Sequence, residues 1–364
     1  VANNTSTNGL SATVKDGNGN AVPNVDVIFT VTGGATFDGA SQTSLTVNTD
    51  SSGIATAGLV SRIAGGNAVT ATVGTYTTVA KTSTFIADEA TAVIAATDFS
   101  VASGAVANNT STNALSVTVK DAGGNTVPNV SVTFVVIGGA TFDGASQTSL
   151  TVNTDSSGVA TAGVVSLVAG AHAVTATVGT NTTAAKTSTF IADEATAEIG
   201  STDFSVASGA VANNTSTNGL SATVKDGNGN AVPNVSVTFV VTGGATFDGI
   251  SQTSLTVNTD SSGIATAGLV SRIAGGNAVT ATVGTYTTAA KTSTFIADEA
   301  TAEIGSTDFA VDSGAVANNT STNALSATVK DGNGNAVPNV SVTFVVTGGA
   351  TFAGGTQTSL TATT

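Results

Sequence analysis

The sequence contains no cysteine, no methionine and no tryptophan, and it has only four prolines and one histidine in 364 residues. Without cysteine the chain cannot form a disulfide, present a reactive thiolate or bind a metal ion through sulfur. Catalysis by a thiol and structural zinc sites of the cysteine type are therefore excluded.

Basic residues are also scarce. The chain has nine Lys and Arg residues and 23 Asp and Glu residues, which gives a formal net charge of −14. Nucleic acid and anionic lipid would repel so acidic a chain, so neither is expected as a partner. No apolar run approaches the roughly 20 residues that a membrane helix needs, so this segment should not insert into a membrane. No signal peptide is visible, and Val1 falls within a repeat, so we expect the chain to be part of a longer protein.

Motifs of known catalytic sites are missing from the sequence. There is no Gly-x-Ser-x-Gly elbow, P-loop, dinucleotide fingerprint or His-Glu-x-x-His pair. The single histidine, His172, is replaced by Asn67 and Asn277 at the equivalent positions of other repeats, so it has no imidazole partner for metal or acid–base chemistry. We predict that His172 is a surface residue beside a turn. We also predict that the chain is not an enzyme and has no catalytic, cofactor-binding or metal-binding residues.

Two acidic patterns raise the alternative of a calcium site. Asp16-Gly-Asn-Gly-Asn20 resembles the start of a calcium loop, but the twelfth position, where an EF-hand needs glutamate, is Val27. A hairpin turn is the better interpretation, because Gly and Asn tolerate positive φ. Asp88 and Glu89 could bind calcium together with a loop such as that of Asp50 or Asp155, although a solvated linker is favoured. Calcium at such acidic junctions remains an open alternative to the absence of any cofactor.

The chain does contain a long internal repeat. Its four prolines, Pro23, Pro128, Pro233 and Pro338, recur every 105 residues inside one motif, exemplified by DGNGNAVPNVSVTFVVTGGATF at 226–247. A unit of this length can bury its own core, so an array of separate domains is expected rather than a solenoid. We predict four repeats: 1–89, lacking its first strand, 90–194 and 195–299, both complete, and 300–364, lacking its last strands and expected to be the least stable.

Alternation of apolar and polar residues predicts the strands within each repeat. In the second repeat a first strand is predicted at about 92–103, and seven to nine short strands in all indicate a β-sandwich with Greek-key connections. Such an immunoglobulin-type sandwich would lack the usual disulfide and the tryptophan packed on it. The predicted inward side chains are Phe99, Val101, Leu115, Val117, Val119, Val130, Val132, Phe134, Val136, Leu150, Val152, Ala160, Ala162, Val164, Val174, Ala176, Val178 and Phe190.

The linkers between repeats are short. They lie at 88–91, 193–196 and 298–301 and contain neither glycine nor proline, so limited bending and an extended rod well over about 100 Å long are expected. Residues 1–88 differ from 211–298 only at positions 26, 28, 30, 40 and 79. Alternate repeats are thus more alike than adjacent ones, which indicates duplication of a two-domain block.

Three motifs in register carry a family resemblance. VKDGNGNAVPNVSVTF, GGATF and TDSSGIATA resemble the bacterial immunoglobulin-like group 1 (Big-1) domain, which builds the stalks of the intimin and invasin family of outer-membrane adhesins, the inverse autotransporters. The resemblance covers the whole chain. It implies tandem immunoglobulin-like domains at the bacterial surface, anchored through another part of the parent protein. The family's receptor-binding tip is not visible here, so its adhesive residues cannot be transferred.

The resemblance favours a structural spacer that projects a distal adhesive tip in cell adhesion or biofilm formation. Its partners would be host-cell or bacterial surface molecules, contacted through parts of the parent protein outside this chain. The alternative is that the repeats themselves bind host molecules or sister stalks. Positions 28, 30 and 62 vary on the outer faces, and Tyr76 and Tyr286 could serve as anchors.

Overall fold

The computed structural model describes residues 1–39, 41–247, 251–352 and 355–364. It divides into two compact units, Val1–Ile191 and Ala192–Thr364, which are treated one at a time below. Both units are built from strands, and the helices of the described residues are single 3₁₀ turns at Glu89–Thr91, Ala96–Asp98, Glu194–Thr196 and Glu299–Thr301. None of these helices is long and apolar enough to span a membrane.

The described part of the first unit contains seventeen strands. They are β1 Asn8–Thr13, β2 Asp26–Thr32, β3 Ala35–Thr36, β4 Ser44–Asn48, β5 Ile54–Ser61, β6 Gly65–Val73, β7 Tyr76–Thr77, β8 Lys81–Phe85, β9 Phe99–Val101, β10 Ala105–Val106, β11 Asn113–Thr118, β12 Ser131–Ile137, β13 Ser149–Asn153, β14 Val159–Val164, β15 Gly170–Val178, β16 Asn181–Thr182 and β17 Lys186–Ile191.

Each repeat of the first unit forms two sheets. In the first repeat the sheets have the orders β1-β5-β3 and β4-β2-β6-β7, with β8 also paired to β6. In the second repeat the orders are β14-β11-β9 and β10-β17-β15-β12-β13, with β16 paired to β15. Non-consecutive strands are therefore neighbours in both sheets, as in the predicted immunoglobulin-like sandwich.

The core of the second repeat lies between its two sheets. Phe99 of one sheet and Phe134 of the other have ring centroids 6.4 Å apart, and Leu115, Val132 and Phe190 are buried around them. On β12 the buried residues alternate strictly with half-buried or exposed ones, as the period-two pattern predicted. Most of the predicted inward residues are fully buried, whereas Val101, Leu150, Val152 and Ala162 are half-buried.

The predicted strand at 92–103 is wrong for most of its length. Only Phe99–Val101 is a strand, and it follows the 3₁₀ turn Ala96–Asp98. The Asp98 carboxylate forms a 2.8 Å ion pair with the Lys120 ammonium. This ion pair fixes the turn beside β11. Gly104, with φ of +98°, then takes the chain from the sheet of β9 to the sheet of β10. The stretch 99–106 thus contributes short strands to two sheets, which one continuous strand could not do.

The prediction that His172 lies on the surface is also wrong. His172 is 1% exposed, because it occupies an inward position of β15, two residues before Val174. Its ring stands edge-on to Phe190, with centroids 5.5 Å apart, and its Nε2 lies 3.0 Å from the Val168 carbonyl oxygen. Its Nδ1 has no hydrogen-bond partner among the described residues. In the first repeat Asn67 takes this place, and its Oδ1 accepts a 2.9 Å hydrogen bond from the Ala35 N–H.

The second unit contains fourteen strands in its described residues. They are β18 Phe204–Val206, β19 Ala210–Val211, β20 Asn218–Thr223, β21 Ser236–Thr242, β22 Thr246–Phe247, β23 Ser254–Asn258, β24 Ile264–Val270, β25 Gly275–Val283, β26 Tyr286–Thr287, β27 Lys291–Ile296, β28 Phe309–Val311, β29 Leu325–Ala327, β30 Ser341–Val345 and β31 Ser359–Thr363.

The third repeat closes a sandwich and the fourth has a much smaller core. The third has the sheets β18-β20-β24-β22 and β19-β27-β25-β21-β23, with β26 paired to β25. The fourth has two separate pairs, β28-β29 and β30-β31, whose buried core consists of Val329, Val337 and Val342. The predicted boundaries of the four repeats, and the lower stability of the last one, stay predictions.

Candidate functional site at the repeat junctions

The loop Asp121–Asn125 forms a hairpin turn, as the sequence predicted for this motif. The Asp121 N–H donates to the Asn125 carbonyl oxygen at 2.9 Å, and the Gly124 N–H donates back to the Asp121 carbonyl at 2.9 Å. Gly124 has φ of +85°, which only glycine adopts easily. The Asp121 carboxylate also accepts a 2.8 Å bond from the Asn125 N–H. The turn is therefore held by its own hydrogen bonds.

The same loop fastens the second repeat to the linker before it. Asp121 Oδ2 accepts a 2.9 Å hydrogen bond from the Asp88 N–H. The Ala122 N–H donates to Thr91 Oγ1 at 3.1 Å, and this hydroxyl in turn donates to the Asp88 carbonyl. The linker is thus bound into a 3₁₀ turn, and Asp88 is half-buried rather than freely solvated. These contacts are a structural reason to expect limited bending between the first and second repeats.

Asn125 reaches the first repeat directly. Its Oδ1 accepts a 2.8 Å hydrogen bond from the Ala64 N–H, and its Nδ2 donates to the Arg62 carbonyl oxygen at 2.9 Å. Arg62 and Ala64 lie in the connection between β5 and β6, at the end of the first repeat that faces the linker. We call Asp121, Asn125 and Thr91, with their backbone partners at 62, 64 and 88, the junction clasp.

The second unit contains the same clasp between its third and fourth repeats. Asp331 Oδ2 accepts from the Asp298 N–H at 3.0 Å, and the Gly332 N–H donates to Thr301 Oγ1 at 3.0 Å. Asn335 binds the backbone of its neighbouring repeat through the Ala274 N–H at 2.8 Å and the Arg272 carbonyl at 2.9 Å.

The clasp of the second unit has one further bond. Asn333 Nδ2 donates to the Ala212 carbonyl oxygen at 3.0 Å. The equivalent residue in the first unit is Gly123, which has no side chain to make this bond.

The carboxylates of the clasps remain ionised although they are buried. In Asp121, burial raises the pKa, but hydrogen bonds from the Asp88 N–H and from Asn125 outweigh it, so the pKa lies below its ordinary value. In Asp331, burial likewise raises the pKa, and bonds from Asn335 and the Asp298 N–H outweigh it. A carboxylate that accepts several N–H bonds is favoured in its charged form. Each clasp is therefore held by charge-assisted hydrogen bonds at neutral pH.

A cleft of about 300 Å³ lies beside the clasp of the first unit. Its lining residues are Ala2, Asn3, Arg62, Asp88, Thr91, Asp121, Ala122 and Gly123. Within the part of the chain that the structure describes, no three His, Asp or Glu residues are grouped so that they could hold a metal ion.

In both loops considered as calcium partners, one oxygen of the aspartate carboxylate stabilises the turn. Asp50 Oδ1 accepts the Ser52 and Ile54 N–H groups, and Asp155 Oδ1 accepts the Ser157 and Val159 N–H groups, so both oxygens stabilise turns. Calcium at the junctions, and the expected absence of catalytic and cofactor residues, stay predictions.

The candidate anchors on the outer faces are exposed. Tyr76 is 71% exposed and Tyr286 is 39% exposed, and Ile28 lies on the outer face of β2 as the variation at position 28 suggested. Position 40 and its counterpart, position 250, lie outside the described residues.

Sequence reasoning identified the turn but missed the clasp. The available signal was that aspartate and asparagine hold the first and fifth loop positions in all four repeats, whereas the middle changes from Gly-Asn-Gly to Ala-Gly-Gly in the second.

Comparison with known proteins agrees with this architecture. The family model described as bacterial Ig-like domain (group 1) matches residues 1–86, 97–191, 202–296 and 306–363. The inverse autotransporter adhesin YeeJ of Escherichia coli (strain K12) is 31% identical over 351 residues, which are 94% of this chain and 14% of YeeJ. The chain thus spans only a small part of that relative.

Solved structures with the same fold are more distant in sequence. The crystal structure of invasin, described as a bacterial integrin-binding protein, has a TM-score of 0.51 at 17% identity, covering 99% of this chain and 71% of invasin. The Escherichia coli adhesin FdeC has a TM-score of 0.50 at 20% identity, covering 80% of this chain and 92% of FdeC. InvD of Yersinia pseudotuberculosis has a TM-score of 0.50 at 19% identity, covering 80% and 93%.

Proposed function

Because the chain belongs to the bacterial Ig-like domain (group 1) family, we propose that it is part of the extracellular stalk of a bacterial cell-surface adhesin. In this role it holds a distal adhesive region away from the outer membrane. The relative YeeJ is named an inverse autotransporter adhesin, which supports the surface location and the role in adhesion. Host-cell or bacterial surface molecules would then be contacted by other parts of the parent protein.

The observation that carries this proposal is the junction clasp. It occurs with the same hydrogen-bonding groups between the repeats of each unit, through Asn125 in one and Asn335 in the other. Its asparagine side chains bind backbone atoms of the neighbouring repeat, and each of these bonds contributes roughly 0.5–1.5 kcal/mol net. A spacer needs joints that resist bending, and these contacts supply such resistance.

Small-angle scattering of the full chain tests the spacer geometry. We expect an elongated particle over about 100 Å long, because three short-stranded sandwiches and a partial fourth, arranged as a stalk, reach that length. A compact radius of gyration near roughly 21 Å, the value for a globular protein of this size, would overturn the proposal. The double variant N125A/N335A should broaden the distance distribution. N20A is the matched control, because Asn20 has the same place in a loop that is exposed.

Adhesion assays on cells test the role itself. Bacteria that display a receptor-binding region through this chain should adhere less when the repeats are deleted, and an unrelated rod of equal length should restore adhesion. Failure of the unrelated rod, with blocking of adhesion by the purified chain, would favour direct binding by the repeats. The observation that favours this second function is the exposed pair Tyr76 and Val79, for which Y76A is the diagnostic variant.

A further inference from the structure

We propose that each complete repeat contains a mechanical clamp, formed by parallel pairing of its second strand with its last, that resists unfolding when the chain is pulled by its ends. The inference rests on the proposed stalk function, because a stalk that carries an adhesive region bears the tension between two surfaces. The clamp of the second repeat consists of β10, β17 and the side chain of Asn113, and we call this set the terminal-strand clamp.

The two strands of the clamp run parallel. Ala105 is in register with Phe190, and Val106 with Ile191. The Gly104 N–H donates to the Thr189 carbonyl oxygen at 2.7 Å, and the Ala107 N–H donates to the Ile191 carbonyl at 2.8 Å. The strand pairs of both sheets of this repeat are otherwise antiparallel in the described residues. The parallel pair therefore joins β10, near the start of the repeat, to β17, its last strand.

Side chains add to these backbone bonds. Asn113, which is buried, accepts from the Ala105 N–H at 3.0 Å and donates to the Thr189 carbonyl at 3.1 Å, so it bridges the two strands. Ser188 Oγ donates to the Ala102 carbonyl at 3.0 Å. The Thr189 N–H donates to Ser103 Oγ at 3.0 Å.

The second unit repeats the same set in its third repeat. Ala210 and Val211 pair in parallel with Phe295 and Ile296. Asn218 accepts from the Ala210 N–H at 3.0 Å and donates to the Thr294 carbonyl at 3.1 Å. Ser293 Oγ donates to the Ala207 carbonyl at 2.9 Å. Two independent copies of the clamp therefore exist within one chain.

The direction of pulling makes this arrangement resistant. Force reaches the clamp of the second repeat at the N-terminal end of β10, which follows β9 along the chain, and leaves it at the C-terminal end of β17. Because the strands are parallel, these ends lie at opposite ends of the pair, so the strands must slide past each other. Sliding loads all the bridging hydrogen bonds at once instead of one after another. The residues between β10 and β17 carry no load until the clamp breaks.

Stretching single molecules of the full chain by their termini tests the proposal. Each clamp encloses 87 residues, from Ala105 to Ile191 in one repeat and from Ala210 to Ile296 in the other, so each rupture should release roughly 290–310 Å of chain. We expect two such events at similar force. Their absence, or release of each repeat in several short steps, would overturn the proposal.

The variant N113A removes two bonds from one clamp only. We expect one of the two events to move to lower force, with its extrapolated zero-force rate raised on the order of tenfold, while the event of the third repeat stays unchanged. The double variant N113A/N218A should shift both events.

The matched control is T154V. Thr154 is also buried and also makes two bonds, donating to the Val127 carbonyl at 2.8 Å and accepting from the Val130 N–H at 3.0 Å, but it lies outside the clamp. It should lower resistance to denaturant about as much as N113A does and leave the rupture force unchanged. Equal loss of force in T154V and N113A would overturn the proposal.

A second measurement keeps the test decisive if N113A does not fold. The chain has no cysteine, so A185C gives a unique handle in the exposed connection before β17. Pulling from the N-terminus and this residue opens the strand pair from one end, and rupture should then need less force. Equal force in both directions would contradict the clamp. A failure here would leave the spacer geometry untouched, because scattering and adhesion assays test that geometry separately.

Discussion

The loops Asp16–Asn20 and Asp121–Asn125 have the same turn in different surroundings. In both, the first aspartate accepts the N–H of the fifth residue at 2.8 Å, and the asparagine side chain donates back to the carboxylate. Asp16 is exposed, whereas Asp121 is 4% exposed and bound to the linker. The exposed loop shows that the turn forms without a neighbour. When the loop Asp121–Asn125 binds the linker and the first repeat, few additional side chains have to be ordered, so the entropic cost of this contact is low.

The largest difference between the loops should follow removal of the carboxylate. D121A deprives the Asp88 N–H of its acceptor and leaves the loop bonds unmade, whereas D16A affects only its own turn. Hydrogen bonds to a charged group are worth about 1.5–3 kcal/mol. We expect the opening free energy of the Asp88 amide, measured by hydrogen exchange, to fall by about that amount in D121A. Equal protection of this amide in D121A and D16A would show that the clasp does not hold the linker.

The second-largest difference between the two loops should appear at low pH, where protonation of Asp121 opens a junction. The pKa of Asp121 is lowered in the folded chain, so its contribution to stability is complete above the ordinary carboxyl pKa and is lost as the pH falls through the folded value. The clasp should therefore hold at neutral pH and open only below about pH 4. Amide shifts of Ala64 and Asp88 in a titration by NMR would report the opening of the junction. The pKa of Asp16 is also lowered, by hydrogen bonds from Asn20, so the amide of Asn18, bonded to Asp16, reports protonation of the same turn without a junction. Opening near pH 6 would contradict this cause.

Asparagine at the fifth position should have a smaller effect. N125A removes the acceptor of the Ala64 N–H, a bond between neutral groups that is worth roughly 0.5–1.5 kcal/mol. Hydrogen exchange at Ala64 should become faster to that extent, and N20A should leave it unchanged. The same exchange rate in N125A and the unmodified chain would remove Asn125 from the clasp.

The smallest effect should come from the bond that only the second unit has. N333A removes the hydrogen bond to the Ala212 carbonyl and leaves the set of contacts found in the first unit. We expect the opening free energy at the Ala274 amide to fall by about 0.5 kcal/mol or less. A loss as large as that of N335A, measured at the same amide, would contradict this ranking and mean that Asn333 stabilises the junction as much as Asn335 does.

Much of the sandwich could be predicted because alternation identifies the two faces of a strand. Val132, Phe134 and Val136 of β12 are buried as expected, and Asp121–Asn125 is the expected turn. His172 shows where the reasoning was incomplete. Like Val174, it occupies an inward-facing position of β15. The lack of a histidine partner bears on its chemistry and does not indicate whether the side chain is buried.

Other features could not be predicted from the alternation of residues. The division of 99–106 between two sheets depends on an ion pair and on the turn at Gly104. The clasp depends on which backbone groups lie opposite the loop, because the Arg62 carbonyl and the Ala64 N–H bind through atoms that every residue has. No sequence motif marks such atoms, and only the repeated Asp and Asn positions pointed to the loop.

The central claim, that the clasp makes the junction stiff, is tested most directly by distances across it. Spin labels at S52C and S156C, exposed sites of the first and second repeats, can be placed specifically because the chain has no cysteine. Pulsed electron spin resonance should give a narrow distance distribution, which N125A broadens and N20A does not. An equally broad distribution in the unmodified chain and in N125A would contradict the account.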